Sequence, residues 1–563
     1  MYRVVLAWVP SAFPFQQLLL VATVLGSLYA ARRLSGDRRW GDALRRRFVL
    51  GVPWGTALTI VGVLLVYWLV QGGWENPNSP LVVPFRSWSY FYPTGIALAG
   101  FAHSGSGHIT SNLLGTAIFA PVVEYAIGHY PRERGTQSFS SLRANPLARI
   151  LLVPVGSLVV GLLTGVFSLG PVVGFSGVVF AYIGFAFVTR PVLAVATLVS
   201  ERVVKLTYRA LRDPMITREG GPGFITPWWA DIAVQGHALG VFLGVVLGIG
   251  LLRAREEYPR PLALWFGALV FGISQNLWAI YAPQGASAFT LFRALGVASM
   301  FAFAAIVTAA VAASDRPVHP RVDASLGRRD IAGVFVLTLL VAVAAMAVPF
   351  GFTTVSGELP DDAETVEVRD YTVTYVEGVP NQYVPSYEIR LFGREFSADA
   401  SAGVRSSGVV VFSERRRVWI EAVSKGQLAF RGTAVVRVGG LGWRERVYAA
   451  REGWSLSGNG SAYKVSLRRE GDASRQAFST DRVTAAPTVA GRNVSVRPTA
   501  EGFDVLVERG NRTVGREPIP PRYNETEVGG LTINRTEKEL FAVFEDTRVQ
   551  VASKSVPRAR QDR

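Results

Sequence analysis

The chain has 563 residues, of which 49% are hydrophobic, and its mean hydropathy of +0.27 is high for a water-soluble protein. It contains no cysteine, which excludes disulfides, thiolate nucleophiles and cysteine-ligated zinc sites. The net charge is +16, but residues 1–350 carry 27 Lys+Arg against 14 Asp+Glu, whereas residues 351–563 carry 31 against 28. A basic excess confined to the apolar part is typical of cytoplasmic loops in membrane proteins. No basic stripe with interleaved aromatic residues favours nucleic-acid binding.

Ten apolar segments have about the length that a bilayer-crossing helix needs. They lie at 8–31, 49–71, 101–128, 148–168, 171–189, 190–210, 231–252, 262–283, 291–313 and 330–350. The first has no basic start and no small-residue cleavage site, so we expect a retained span instead of a signal peptide. Segment 190–210 is the weakest, because Glu201, Arg202, Lys205 and Arg209 interrupt it. A surface helix is its alternative interpretation.

Arginine-rich loops give these segments one orientation. The loop at 32–48 contains seven arginines and is therefore expected on the cytoplasmic side. Alternation of the ten segments then places the basic loops at 129–147, 253–260 and 314–329 on the same side. This agreement requires a crossing at 190–210.

The character of the chain changes after Phe350. Residues 355–563 have no membrane-length apolar run and show alternating patterns, for example at 365–375, 408–413 and 493–497. Alternation interrupted by turn signals predicts an all-β domain of sandwich type. With about 200 residues it can bury a core of its own. The predicted orientation places this domain outside the cell.

Asn-X-Ser/Thr triplets occur five times in this external domain, at Asn459, Asn493, Asn511, Asn524 and Asn534. One such triplet is common by chance, but five in one external domain indicate glycosylation. The alternative is that β-sequence rich in Ser and Thr generates them without use.

Three of the five histidines stand inside apolar segments: His103, His108 and His237. Ser176 lies between them, in Gly174-Phe-Ser-Gly. Ionisable residues within a bilayer are costly and usually mark function. A buried serine and a buried histidine among glycines suggest a nucleophile and its base.

Depth along the helices favours this pairing. Ser176 is expected about five residues into a helix that begins near Pro171, and His237 about six residues into one that begins near Asp231. Both would lie roughly 8–9 Å below the external ends of their helices at about 1.5 Å per residue.

Small residues explain how the two helices could meet. Gly240, Gly244 and Gly248 share one helix face after His237. Such a stripe allows close approach of another helix. On the serine helix the small residues are Gly177, Ala181 and Gly184. We therefore expect the serine hydroxyl within hydrogen-bond reach of His237.

An activated serine also requires hydrogen-bond donors for the oxyanion of the tetrahedral intermediate. His108 and Asn112 are four residues apart and project from one helix face, with the backbone N–H of the serine as a third donor. His103 points elsewhere, and a supporting role is expected for it. His129 and His319 lie near loop ends and are expected to be solvated.

Three motifs, in this order and membrane context, resemble the rhomboid family of intramembrane serine proteases. They are His103-x4-His108-x3-Asn112, Gly174-Phe175-Ser176-Gly177 and His237-x2-Gly240-x3-Gly244.

The resemblance covers about residues 49–252 and implies a six-helix core with a Ser–His dyad, no cofactor and no metal. It implies Ser176 as nucleophile, His237 as general base, and His108 and Asn112 as oxyanion donors. The substrates would be transmembrane proteins cleaved near the external side of the membrane.

Other positions follow or depart from the family pattern. Phe180 stands where many members have a tyrosine that packs on the catalytic histidine. Arg86 and Trp88 lie in a segment similar to the membrane-dipping loop after the first core helix, and Glu124 resembles an acidic residue of the family. The basic segment at 201–212 is unusual for the fifth core helix.

The predicted fold is a polytopic α-helical membrane bundle, a rhomboid-like six-helix core plus extra spans, with a C-terminal all-β extracytoplasmic domain. The predicted domains are 1–48, an extra span and basic loop; 49–252, the catalytic core; 253–354, additional helices; and 355–563, the external β-domain. We expect a multi-pass plasma-membrane protein of a prokaryote, with an archaeon as the narrower hypothesis.

Its expected partners are transmembrane protein substrates and the lipid bilayer, with no nucleic acid. Recruitment of substrates and binding of envelope components are hypotheses for the β-domain. Two other functional classes stay open. One is an inactive rhomboid-like protein that binds transmembrane helices. The other is a transporter or an anchored envelope protein, although no paired half-helices favour transport.

Overall fold

The computed structural model describes residues 14–34, 40–131, 139, 141–212, 214, 233–283, 289–313, 327–360, 363–383, 386–391, 394–399, 405–458 and 460–555. These fall into two compact units. The helical unit takes its described residues from Met1–Val82, Ile96–Gly223 and Pro227–Val348. The β unit takes them from Val83–Gly95 and Pro349–Arg563.

Helices form the first part of the chain up to residue 351. They are α1 (Phe15–Leu34), α2 (Trp40–Arg47), α3 (Trp54–Leu65, continued by a π-helical turn at Val66–Val70), α4 (Pro93–Ala99), α5 (Ser106–Ile127), α6 (Pro146–Ile150), α7 (Leu152–Val166), α8 (Ser176–Thr189), α9 (Pro191–Arg212), α10 (Val234–Arg255), α11 (Pro261–Ser274), α12 (Arg293–Ala312), α13 (Arg328–Ala345) and α14 (Val348–Gly351). A hairpin of β1 (Tyr281–Pro283) and β2 (Phe289–Leu291) separates α11 from α12.

Each of the ten predicted segments contains a helix. Four stretches of described helix are long and apolar enough to cross a membrane: Pro146–Val166, Val234–Arg255, Arg293–Ala312 and Arg328–Gly351. The prediction for 262–283 is wrong in its second half. There α11 ends at Ser274, since Asn276 adopts a positive φ of 55° and the chain continues into β1.

Helices α8 and α10 pack against each other through their backbones. A Cβ built on Gly240 would lie 2.1 Å from the carbonyl oxygen of Gly177, and one built on Gly244 would lie 2.0 Å from that of Ala181. Both distances are far below van der Waals contact, so only glycine fits at these two positions. The contacts advance together along both helices, which therefore run parallel.

Helix α9 returns the chain between these two parallel helices. The guanidinium of Arg190, just before α9, lies 4.0 Å from the carboxylate of Glu257, just before α11. Helices α9 and α11 therefore begin at the same end of the helical unit. Arg202 of α9 then donates a hydrogen bond to the carbonyl of Ser274 at the end of α11, at 2.9 Å. Helix α9 therefore runs back toward the end at which α8 and α10 begin.

A buried carboxylate lies at the other end of the helical unit, opposite the starts of α8 and α10. Glu124 of α5 accepts the backbone N–H groups of Gly55 and Thr56, both at 2.8 Å, and so caps α3. His129 lies 2.6 Å from the same carboxylate, and its other ring nitrogen accepts the N–H of Val49 at 2.9 Å. His129 is 1% exposed, so the prediction that it is solvated is wrong. His319 lies outside the described residues.

The described strands of the β unit form three larger sheets, and a short helix, α15 (Lys425–Arg431), lies between β8 and β9. Its strands are β3 (Thr365–Val368), β4 (Tyr371–Pro380), β5 (Ser386–Leu391), β6 (Arg394–Asp399), β7 (Arg405–Ser413), β8 (Val418–Ser424), β9 (Thr433–Gly440), β10 (Trp443–Leu456), β11 (Ser461–Arg469), β12 (Arg475–Ser479), β13 (Val483–Val489), β14 (Arg492–Pro498), β15 (Phe503–Arg509), β16 (Arg512–Pro518), β17 (Glu525–Val528), β18 (Leu531–Arg535), β19 (Glu539–Phe544) and β20 (Thr547–Lys554).

All strand pairs in this unit are antiparallel. The largest sheet has the order β12-β11-β10-β20-β19-β18-β17, with β9 also paired to β10. The two four-stranded sheets have the orders β3-β4-β7-β8 and β13-β14-β15-β16, and β5 pairs with β6. An all-β C-terminal region is therefore present, as predicted.

Two hydrophobic cores replace the single sandwich core that the sequence suggested. Strands β3, β4, β7 and β8 share buried residues with β9 to β12, including Tyr371 and Trp419. Strands β13 to β15 share buried residues with β17 to β20, including Val505 and Ile533. The long strand β10 contributes to both cores, the second through Trp454.

The segment Val83–Gly95 belongs to the β unit, although the sequence places it within the predicted 49–252 core. Trp88 is 1% exposed and packs edge-on against Tyr383, with ring centroids 5.4 Å apart. The Tyr383 hydroxyl donates to the carbonyl of Trp88 at 3.0 Å. Arg416 donates to the Tyr92 hydroxyl at 3.1 Å. This segment is therefore part of the core of the β unit.

Candidate active site

Ser176 and His237 form a hydrogen-bonded pair in the helical unit. Ser176 is the first residue of α8, and its Oγ lies 2.8 Å from Nε2 of His237 on α10. Both residues are partly exposed to solvent. A serine hydroxyl bonded to an imidazole nitrogen is the arrangement that base-activated serines use.

Both residues stand at the start of their helices, which corrects the predicted depth. Helix α8 begins at Ser176 itself and α10 begins at Val234, only three residues before His237. The five residues from Pro171 to Phe175 are not helical. The first N–H groups of a helix have no intrahelical acceptor and form its positive end. This environment favours negative charge next to Ser176.

The ring of Phe180 stacks on the imidazole of His237. Their centroids are 4.2 Å apart and their planes differ by 9°. Phe180 is one helical turn after Ser176, so the same helix provides the hydroxyl and the surface that fixes the imidazole plane. Only the ring makes this contact, so a phenylalanine can form it without the hydroxyl of a tyrosine.

His108 approaches the serine from a third helix. It is the third residue of α5, and a Cβ built on Gly174 would lie 2.8 Å from its Nε2. The Ser104 hydroxyl lies 3.0 Å from Nδ1, and the backbone N–H of Ser104 lies 3.4 Å from the same atom. A donor at Nδ1 assigns the ring proton to Nε2, which faces Gly174. Ser104, which sequence reasoning missed, therefore orients His108.

Gly174 is required by two independent features. Its φ of +138° is unfavourable for residues with a side chain, and a Cβ there would lie 2.7 Å from Cε1 of His108. Its N–H donates to the carbonyl of Ala99 at 2.8 Å, which ties the turn before Ser176 to the end of α4.

Asn112 provides an unused donor on the same face of α5. It is 6% exposed, and among the described residues its Nδ2 has no hydrogen-bond partner. One turn later, a Cβ on Gly115 would lie 2.8 Å from a methyl carbon of Val179 on α8. Asn112 thus lies between two places where α5 touches the serine helix. A buried amide donor without a partner is costly unless a ligand satisfies it.

His103 lies next to His108, and among the described residues it does not contact Ser176. It is fully buried, and its backbone N–H and carbonyl both bond to the side chain of Gln71, at 2.7 and 2.8 Å. Its ring packs edge-on against His108 with centroids 5.1 Å apart. The supporting role expected for His103 stays a prediction.

Gln235 is a second positioning residue that sequence reasoning missed. Its amide nitrogen donates to the carbonyls of Phe167 and Val343, both at 2.8 Å, and its oxygen accepts the N–H of Leu169 at 3.0 Å. It therefore connects the start of α10 to the turn after α7 and to α13. The sequence signal for this role was an amide side chain two residues before His237, in an otherwise apolar segment.

Small residues surround a cavity of about 20 Å³ beside the pair. Its lining includes Ser176, His237, Ala99, Gly100, Gly165, Gly177 and Gly236. A cavity of this size holds about one water molecule. The site therefore has space for a hydrolytic water next to the serine.

Comparisons with protein-family models, curated proteins and solved structures found no match. The function is therefore inferred from the geometry above and from the sequence motifs.

The predicted glycosylation sites differ in accessibility. Asn511 and Asn524 are exposed, whereas Asn493 and Asn534 are partly buried. Asn493 also accepts a hydrogen bond from the Thr488 hydroxyl at 2.9 Å. Asn459 lies outside the described residues. Asn511 and Asn524 are thus the better acceptor candidates.

Proposed function

We propose that this chain is a rhomboid-type intramembrane serine protease that hydrolyses peptide bonds in or next to transmembrane helices. The observation that carries the proposal is the 2.8 Å contact between Ser176 Oγ and His237 Nε2. Ser176, His237 and His108 lie in the first turns of α8, α10 and α5, and Asn112 lies one turn after His108. A packing role for Ser176 alone does not explain why a stacked imidazole lies within hydrogen-bond distance of its hydroxyl and why a buried amide donor of Asn112 is left unused.

The residues support acyl transfer. His237 accepts the proton of Ser176 as the serine oxygen attacks the substrate carbonyl. His108, Asn112 and the N–H of Ser176 donate to the oxyanion of the tetrahedral intermediate. His237 then gives the proton to the leaving amine as the peptide C–N bond breaks. Water, deprotonated by His237, hydrolyses the ester and restores the serine.

The proposed setting is the plasma membrane of a prokaryote, with an archaeon as the narrower hypothesis. Support comes from four long apolar helices and from basic loops that agree with one orientation. In that orientation the β unit is extracellular, where Asn511 and Asn524 could carry glycans. Substrate recruitment and binding of envelope components are the functions proposed for it.

Cleavage of a labelled transmembrane substrate in proteoliposomes tests the proposal. Ser176→Ala and His237→Ala are each expected to lower kcat by at least about 10²–10⁴-fold, because they remove the nucleophile and its base. Ser200→Ala is the matched control, since among the described residues this exposed serine of α9 bonds only within its own helix, to Ala196.

Asn112→Ala separates an oxyanion donor from a packing residue. A donor that acts in the transition state should lower kcat by about 10²–10³-fold with little change in KM. If wild type cleaves no substrate and a fluorophosphonate does not label Ser176, the proposal fails. The catalytically inactive, rhomboid-like transmembrane-helix binding protein then becomes the better hypothesis.

A further inference from the structure

A second cavity lies in the β unit, where β10 passes from one hydrophobic core to the other. Its volume is about 380 Å³, within the range of about 300–1,000 Å³ that small-molecule sites occupy. It is lined by Glu452, Gly453, Trp454, Lys464, Thr499, Glu501, Gly502, Phe503, Asp504, Pro518, Ile519, Arg535 and Lys554. All of these residues belong to the β unit, so the cavity is independent of the Ser176–His237 site.

Apolar and aromatic groups form part of the wall. Phe503, Pro518 and Ile519 are contiguous there, because the N–H of Ile519 donates to the carbonyl of Phe503 at 2.9 Å. Trp454 is only 2% exposed, and the guanidinium of Arg535 lies 5.3 Å from its ring centroid. The indole is therefore covered, and the accessible apolar surface is the one around Phe503.

The cations of the cavity lack anionic partners. Among the described residues, the Nε of Arg535 is buried and has no hydrogen-bond partner, while its Nη1 donates to the carbonyl of Pro520 at 2.9 Å. Lys464 donates to the carbonyls of Thr499 and Ala500 at 3.2 and 3.4 Å. The Lys554 ammonium bonds to no described side chain. Burial, and then repulsion by Arg522, lower the pKa of Arg535.

Among the described residues, the carboxylates of the cavity form no ion pair with these cations, although Glu452 stands opposite Lys464 in the register of β10 and β11. Asp504 is paired with Arg516 at 2.7 Å, outside the lining. Glu452 and Glu501 are exposed to solvent and form no ion pair with a described residue. The three cations of the lining are therefore less exposed than its two unpaired carboxylates.

We propose that this cavity binds the carboxyl terminus of a peptide whose last side chain is apolar. A carboxylate matches the planar fork of the outer guanidinium nitrogens of Arg535, and the Lys554 ammonium offers it a second cation. The apolar surface of Phe503, Pro518 and Ile519 receives the final side chain. A sugar acid shares the carboxylate, but it would need an open aromatic face to stack on. Arg535 covers that of Trp454, and the Lys464 ammonium lies 5.6 Å from the ring centroid of Phe503.

Isothermal titration of the full chain in detergent, at low salt, tests this assignment. The probes are acetyl-Ala-Ala-Phe with a free carboxylate, its carboxamide, and D-glucuronate. The acid is expected to bind at least about tenfold more tightly than the amide, which corresponds to about 1.4 kcal/mol. Raising the salt concentration should weaken binding of the acid and not of the amide.

Variants identify the residues involved. Arg535→Gln and Lys554→Gln should each weaken binding of the acid, Arg535→Gln by about tenfold or more. Arg512→Gln, an exposed arginine of the same unit outside the lining, should bind as wild type does. If Arg535→Gln does not fold, Lys554→Gln decides. Equal affinity for acid and amide, wild-type affinity in Lys554→Gln, or binding of glucuronate alone would overturn the proposal.

Discussion

Helices α8 and α10 meet through glycines, whereas the first core of the β unit is filled by large side chains. In the helical unit, Gly240 and Gly244 place backbone against backbone. In the β unit, Trp88, Tyr371 and Trp419 are almost completely buried. Adding an atom should therefore be most harmful in the first region, and removing atoms should be most harmful in the second.

The two units also differ in which groups bond to their buried charged side chains. Glu124 and His129 of the helical unit are each 1% exposed and bond to each other and to backbone N–H groups. In the β unit, Arg416 forms an ion pair with Asp370 and lies 4.8 Å from the ring centroid of Tyr371. The helical unit thus satisfies its buried charges with backbone donors, and the β unit uses aromatic faces as well.

Trp88→Ala should have the largest effect on stability. Removal of a buried tryptophan typically costs about 3–5 kcal/mol. Hydrogen exchange of β4 and β7 measures this loss, because both strands belong to the core that Trp88 joins. Trp74→Ala is the control: Trp74 is 73% exposed, and a change within about 0.5 kcal/mol is expected. Unchanged protection of β4 in Trp88→Ala would contradict the assignment of this segment to the β unit.

Gly244→Ala should be the next most damaging change, with Gly250→Ala as its counterpart on the same helix. The new Cβ at 244 meets the Ala181 carbonyl at 2.0 Å, whereas no atom lies within 4 Å of one at 250. Overpacking costs up to about 3 kcal/mol. Separation of the helices also moves His237 from Ser176, and about 1 Å of displacement can lower activity about 10²-fold.

Thermal unfolding and the cleavage assay measure the two glycine variants. Gly250→Ala should be neutral or stabilising by up to about 1 kcal/mol, since alanine is the better helix former. Equal melting temperatures for the two variants would show that the α8–α10 contact is not close.

The helix contact was predictable from sequence, and the start of α8 was not. Gly240, Gly244 and Gly248 repeat at helical spacing, which a close helix contact explains and chance rarely produces. By contrast, the apolar residues before Ser176 continue the pattern of a helix. Only the positive φ of Gly174 and its contact with His108 show why the helix begins at the serine.

Long-range partners account for the other failures. Trp88 and Arg86 lie in an aromatic-rich segment that resembles a membrane loop. The residues that this segment contacts are far away in sequence, since Tyr383 donates its hydrogen bond to Trp88 across 295 positions. His129 follows a glycine near a proline, which is typical of a solvated loop. The signal that it is buried was Glu124, because a carboxylate within an apolar helix needs a donor.

Asp370→Asn tests the charge pairing of the β unit through pH. Burial alone would raise the pKa of the Asp370 carboxyl, but hydrogen bonds and charge from Arg416 outweigh this and hold the pKa below its usual value. The pair therefore contributes its full stability above the unfolded-state pKa of about 4, and loses it as pH falls through the lower folded-state pKa.

Denaturant unfolding at pH 7 and at pH below 4 measures this contribution. Asp370→Asn should lower the free energy of unfolding at pH 7 by about 1.5 kcal/mol, as expected for a hydrogen bond to a charged group. Its loss of stability on acidification should be smaller than that of wild type. Asp472→Asn, at an exposed position, should behave as wild type. Identical acid sensitivity in Asp370→Asn would show that the pair does not stabilise the fold.

Phe180 gives the smallest expected effect and the finest test of the proposed dyad. The stacked ring, 4.2 Å from the His237 imidazole, should contribute about 0.5–1.5 kcal/mol beyond its burial. Phe180→Leu should therefore lower kcat by roughly threefold to tenfold with KM nearly unchanged, because the ring positions the base and does not bind substrate. Phe180→Tyr keeps the ring and should stay within about threefold of wild type. A loss in Phe180→Tyr as large as in Phe180→Leu would mean that the space around the ring, and not its stacking, governs the position of His237.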